Sequence, residues 1–254
     1  MIGQELFDNV LPSDGLLCIV GLVHGRASGA IYRYFNMGDE AAGELIEELD
    51  KDGREVYFGC ASYQDASVPK NVRNIHSLKS FYVDLDCGVD KDYKTQKEAF
   101  SALTDFCKAT GLPVPTLINS GFGIHAYWPL TTAIDYNTWK PIADALKKRA
   151  AEFGLKADPV VTADGARILR IPGTVNKKRD NKHKDVKVVS VCEPMTLDVF
   201  SAAISYIPFG VYAESTNDPV MQKLLHKSNK YKFSRIYRKS LQQIDVNENV
   251  EEEY

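Results

Sequence analysis

The run Phe81-Tyr82-Val83-Asp84-Leu85-Asp86-Cys87-Gly88 constrains this chain more than any other stretch. It reads as an apolar strand that closes on two aspartates one residue apart. Side chains on a strand alternate between faces, so Asp84 and Asp86 share one face, Leu85 takes the other, and Gly88 opens a turn. Two neighbouring carboxylates repel each other unless something positive sits between them. A divalent cation such as Mg²⁺ or Mn²⁺, which prefers oxygen ligands, would serve. The other reading is that Asp84 starts a turn and Asp86 is solvated, and the pair alone does not choose between them.

Two later stretches bear on that choice. Residues 115–130 read as a hairpin, with a strand to Ser120, a glycine-rich turn through Gly121 and Gly123, and a second strand to Trp128. On the second strand His125 and Tyr127 share a face. Glycines let backbone N–H groups come close to an anion, Ser120 adds a hydroxyl, and His125 is placed to donate to a phosphate oxygen. Further on, Asp158 and Asp164 both precede a short strand carrying Arg167 and Arg170, which leads through Pro172-Gly173-Thr174 to a basic tail containing Lys177. Arginines in a core-like strand need partners, and phosphates are natural ones. Asp164-Gly165 has the form of a turn.

The rest of the pattern is mixed α/β. Strands are expected at 16–23, 30–35, 55–60 and 184–192, the first two joined through a turn at 25–29. Helices are expected from the Asp39 cap to 52, and at 94–110, 138–153 and 196–206. Residues 61–79, with Lys70, Arg73 and His76, read as a long polar connection, either a loop with a functional task or a floppy insertion. A chain of 254 residues, 44% hydrophobic and 26% charged, buries a sizeable core as one large domain or two closely associated subdomains. No apolar run approaches a membrane span, and the N-terminus lacks the basic and apolar regions of a signal peptide. The five cysteines are scattered without a CxxC pair, which argues against structural zinc and for reduced thiols in a cytoplasmic setting. The net charge of −3 does not announce a nucleic-acid binder, but its distribution is uneven. Residues 39–55 are acidic, whereas 167–187 and 223–239 are rich in Lys and Arg, the latter interleaved with Tyr231, Phe233 and Tyr237.

In chain order, Asp84-Leu85-Asp86, then Ser120-Gly121-Phe122-Gly123-Ile124-His125, then Ala157-Asp158 ahead of the arginine strand resemble the three motifs of the archaeo-eukaryotic primase superfamily, in the form found in phage and plasmid primase-polymerases. The resemblance covers residues 16–209, and it departs from the usual pattern in that the serine stands five residues before the histidine instead of two. It implies an α/β (α+β) fold in which an N-terminal unit and a unit like an RNA-recognition motif hold the site between their sheets. It further implies template-directed nucleotidyl transfer in phage or plasmid DNA replication with two Mg²⁺ or Mn²⁺ ions, on a single-stranded DNA template with primer and dNTP or NTP. Asp84, Asp86 and Asp158 would hold metal, with Asp158 preferred to Asp164 by its distance from the arginine strand. Ser120, Gly121, Gly123 and His125 would hold nucleotide phosphate, and Arg167, Arg170 and Lys177 would neutralise triphosphate or template. The catalytic domain would span 1–212, with 213–254 either a basic helical appendage or a linker to a C-terminal region such as a helicase. Two rivals share features with this reading: a nuclease using the same carboxylates, and a non-catalytic domain binding nucleic acid through 177–187 and 223–239. A relaxase is disfavoured, because His24, His76, His125, His183 and His226 include no His-hydrophobe-His pair.

Overall fold

The aspartate run forms the end of a long strand, β5 (Ile75–Asp86). The computed structural model describes residues 1–23, 26–179 and 182–205, so the expected segment 213–254 lies outside the described residues. β5 begins well before the expected start, and the polar connection is correspondingly shorter. It contains a two-residue strand, β4 (Ser62–Tyr63), and a 3-10 turn at Val72–Asn74. Its polar residues pair inside the fold: the hydroxyls of Ser62 and Ser77 lie 3.1 Å apart and both residues are buried. Satisfied hydroxyls are compatible with a buried strand, which is why polarity alone misplaces this boundary.

β5 pairs with β7 (Gly123–Ile134), bringing Tyr82 opposite Tyr127, Asp84 opposite His125 and Asp86 opposite Gly123. Beyond β7 come β6 (Thr116–Asn119) and β11 (Lys187–Ser190). On its other edge β5 pairs with β4, which meets β1 (Leu16–Val23). β1 also pairs with β2 (Arg26–Asn36) and β3 (Glu55–Gly59), and β3 carries the short β8 (Ile168–Arg170). The fold is α/β as expected, but its two halves join into one nine-stranded antiparallel sheet through β4 instead of standing as two separate sheets. The sheet folds back on itself, so that Phe58 of β3 comes within 6.4 Å of Tyr127 of β7. A separate ribbon, β9 (Val175–Arg179) and β10 (Lys182–Asp185), lies off the main sheet. The single strand expected at 184–192 is therefore divided between β10 and β11. The break falls at buried Val186, whose N–H and carbonyl bond to Thr174 and Gly173.

The face of β5 and β7 opposite the aspartates is covered by α3 (Gln96–Thr110), α4 (Tyr136–Glu152) and α6 (Leu197–Ile204). Phe81 stacks on Phe200 of α6 at 4.2 Å, and Trp128 meets Phe106 of α3 at 6.4 Å. α4 starts earlier than Thr138 because Asp135 caps it, accepting from the N–H groups of Asn137 and Thr138. α2 (Glu40–Lys51), capped by Asp39, packs on β1 and β3. α1 (Gln4–Val10) buries Leu6, Phe7 and Val10 and is too short for its periodicity to show in sequence. No helix among the described residues is long and apolar enough to cross a membrane, and all five cysteines are free.

Gly123 is the point of closest approach between β7 and the aspartate end of β5. A Cβ placed there would stand 2.6 Å from the Leu85 carbonyl oxygen, a backbone atom that cannot swing aside. Gly123→Ala is therefore expected to destabilise the fold by about 1–3 kcal/mol, measured by equilibrium urea unfolding.

Candidate active site

The antiparallel register sets the site. Because directly opposed residues share a face, Asp84, Asp86 and His125 project together from the side of the sheet that also carries Tyr82 and Tyr127. Asp84 is 16% exposed and His125 only 4%, with His125 Nε2 3.8 Å from Asp84 Oδ1. Burial, then the charge of Asp86, pushes the Asp84 carboxyl up to about 7. Burial, then the charge of Arg170, pushes His125 down to about 3, so its imidazole is neutral. Asp86 is more open. Burial works against its charge, but Lys91 bonds to it at 2.6 Å and keeps its carboxyl below the usual range.

Asp158 stands next to this pair through its main chain: its N–H donates to the Asp84 carbonyl at 2.9 Å, and its charge adds to the pressure on the Asp84 proton. Its carboxylate caps the one-turn helix α5 (Pro159–Thr162), accepting from Val160 and Val161. Asp164 forms a turn, with Oδ1 accepting from Ala166 N–H, and its carbonyl accepts from the Tyr82 hydroxyl at 2.7 Å. Among the described residues, no three His, Cys, Asp or Glu side chains are grouped so as to hold a metal ion by themselves. The residues nonetheless suit a hard divalent cation. Two carboxylates on one face, one of them holding its proton to about 7, form a site whose negative charge is only partly compensated by the cations around it. Mg²⁺ ordinarily takes only one or two protein carboxylates and completes its shell with water and substrate phosphate.

The basic residues divide into two groups. Arg170 is 7% exposed and pairs at 3.2 Å with Glu55, itself 1% exposed, while its guanidinium lies 4.7 Å from the centre of the Tyr57 ring. Lys177 donates to the Asp50 carboxylate and to the carbonyls of Asp50 and Arg54, tying β9 to the end of α2. Both are engaged inside the protein. Arg167 has no ion-pair partner within 4 Å among the described residues, its Nε is buried without a hydrogen bond, and its charge acts on Asp84. Its position is fixed by the backbone: Cys60 N–H donates to the Arg167 carbonyl, and the Lys70 ammonium to that of Ala166. The sequence alone singles out neither Lys178 nor Lys91, yet the charges of both reach Asp84 and Asp86. Strand alternation carried the signal for Lys178, since it shares a face of β9 with Asn176, two residues back.

The glycine turn is braced from within. Gly121 N–H donates to Asn119 Oδ1 at 2.8 Å, so this donor is used inside the turn. Gln96, the first residue of α3, donates to Asn119 Oδ1 and the carbonyls of Gly121 and Gly123, and Asn176 donates to the Ser120 carbonyl. Among the described residues His125 Nδ1 and the Tyr127 hydroxyl are buried without hydrogen-bond partners, which leaves unused polar atoms on the face that carries Asp84.

Comparison with known proteins bears on the fold. The solved AEP domain of the cyanophage S-2L primase-polymerase superposes with a TM-score of 0.56 at 14% identity, covering 75% of this chain and 90% of that one. The chain has the archaeo-eukaryotic primase fold. Two structures of primase RepB′, one of its catalytic domain in complex with initiator DNA, superpose with a TM-score of 0.49. A replication protein from Clostridium perfringens is 27% identical over 140 residues, covering 52% of this chain and 32% of that protein. The chain thus spans about a third of the length of that curated relative. No protein-family model matches the chain.

Within this primase fold the Arg170–Glu55 pair is a stability element, and removing one partner strands a buried charge. Glu55→Ala is expected to cost about 3–5 kcal/mol, read from the midpoint of chemical denaturation.

Proposed function

We propose that this chain is the catalytic domain of a replication primase or primase-polymerase, which adds nucleotides to a 3′-hydroxyl on a single-stranded DNA template. The observation that carries the proposal is the face shared by Asp84, Asp86 and His125, with the charge of Arg167, which has no ion-pair partner among the described residues, acting on it from just ahead of β8 in the other half of the sheet. When bound, Mg²⁺ or Mn²⁺ supplies charge stabilisation to the attacking and leaving oxygens of an in-line displacement at phosphorus.

Asp84 and Asp86 hold that cation, and Asp158 deepens the negative potential beside them from its cap on α5. Arg167 takes phosphate charge, which satisfies its buried Nε, and Lys178 adds a second cation from β9. Neutral His125 contributes a hydrogen bond without adding charge. Gln96, Asn119 and Asn176 hold the Ser120–Gly123 turn at the mouth of the site, and rigid support of this kind preserves reactive geometry. Arg170 and Lys177 act at one remove, by fixing β8 and β9.

Template incubated with and without primer, with dNTPs and NTPs supplied separately and Mg²⁺ or Mn²⁺ present, is expected to show incorporation that chelation by EDTA abolishes. Asp84→Asn and Asp86→Asn are each expected to reduce it to background while far-ultraviolet circular dichroism stays unchanged; full activity in either variant rules the site out. Arg167→Ala is expected to weaken apparent nucleotide affinity by roughly 10-fold or more, as loss of a hydrogen bond between charged groups would. Steady-state titration of nucleotide measures that change.

A further inference from the structure

We propose that Lys91 is a built-in counter-ion of the carboxylate site: its ammonium holds Asp86 while no divalent cation is bound, and it is displaced when one binds. This rests on the metal-site reading given above.

Three observations support it. The first is contact, since Lys91 Nζ lies 2.6 Å from Asp86 Oδ2. A charge-assisted bond of that length takes up the oxygen that a cation would use. The second is position. Asp84 and Asp158 also act on the Lys91 ammonium, so it lies within the field of all three carboxylates instead of projecting away from them. The third is the loop that puts it there. After β5, Cys87 N–H donates to the Phe122 carbonyl, Gly88 N–H to that of Tyr93, and Lys91 N–H to that of Gly88. Gly88, at φ 146°, permits the reversal. Cys87 and Tyr93 are buried, and the Tyr93 hydroxyl accepts from Lys156 N–H. The loop is thus anchored at both ends, and the residue at its return points back to the strand it left. Asp92, its neighbour in sequence, faces Lys156 at 3.7 Å.

The physical consequence is competition. Mg²⁺ and Mn²⁺ bind carboxylate oxygen in their inner shell, and an ammonium at the same oxygen opposes that both by occupancy and by like charge. Lys91 therefore lowers the affinity of the site for free metal. It also keeps the carboxylates partly neutralised in the empty protein, which limits the repulsion that burial of Asp84 would otherwise leave uncompensated. A metal that arrives with the anionic nucleotide is favoured over metal alone, because the nucleotide brings negative charge to replace what the departing ammonium gives up.

The test is titration of the full chain with Mn²⁺ in the absence of nucleotide, at low ionic strength, with free Mn²⁺ read by electron paramagnetic resonance. Wild type, Lys91→Gln and Asp86→Asn are compared after thermal melts establish that each is folded. Lys91→Gln is expected to bind Mn²⁺ about two- to five-fold more tightly than wild type, the range set by an exposed ion pair, and Asp86→Asn to bind it much more weakly. Unchanged or weaker binding by Lys91→Gln, with binding still lost in Asp86→Asn, overturns the counter-ion proposal and leaves the metal site standing. Wild-type binding by Asp86→Asn removes the metal site itself, and the proposal with it.

Discussion

A carboxylate held under 84% cover at the end of an apolar strand is the constraint to which the rest of the site answers. Asp84 lies on β5 beyond Phe81, Tyr82 and Val83, all fully buried, so strand geometry carries it into the core side of the sheet whether or not its charge is welcome. Among the described residues nothing pairs with it at salt-bridge distance except neutral His125, and the nearby cations act on it without an ion-pair contact. A fold built for stability alone would have placed an apolar residue there, since a poorly compensated buried charge costs several kcal/mol. On the metal-site reading proposed above, its position opposite His125 and next to Asp86 is that of a group that binds a ligand.

How far the sequence revealed this depended on the physics of each element. The β5 end and the β6–β7 hairpin were legible because both are local. Alternation fixes which side chains share a face, and Gly121 and Gly123 fix the turn, so the pairings of Asp84 with Asp86 and of His125 with Tyr127 on one face were readable before the strands' register was known. Helices α2 and α6 declared themselves through caps at Asp39 and Thr196, whereas the Thr95 cap of α3 shows only in the structure. The failures lay where a residue's role is set by a partner far away in the chain. Ser77 reads as loop until Ser62 is placed beside it, and Val186 reads as mid-strand until its bonds to Gly173 and Thr174 are seen.

The basic residues give the clearest case. Arg167, Arg170 and Lys177 are equivalent to a reader of the sequence, because all three are cations in one basic stretch. Glu55 lies 115 residues from Arg170 and Asp50 lies 127 residues from Lys177, so neither pairing has a local signature. Once those pairs are known, Arg167 stands apart as the one of the three without an ion-pair partner among the described residues, and the charge of Lys178, one residue beyond a structural lysine, acts on the carboxylates. Assigning roles to charged residues in a strand therefore requires knowledge of the strand's neighbours.

β4 joins the two halves of the sheet through only two residues, with the carboxylates on one side of it and Arg167 on the other. The gap between guanidinium and carboxylate is therefore not set within any single strand. It follows from the bend of the sheet, which is held by core contacts such as Phe58 against Tyr127. An anion that spans the gap would act as a clasp, adding one more link to the core contacts that hold the two halves together. Occupancy of the site and rigidity of the whole domain are in this way one thermodynamic quantity, since a ligand that binds only the closed arrangement stabilises every contact on which that arrangement depends.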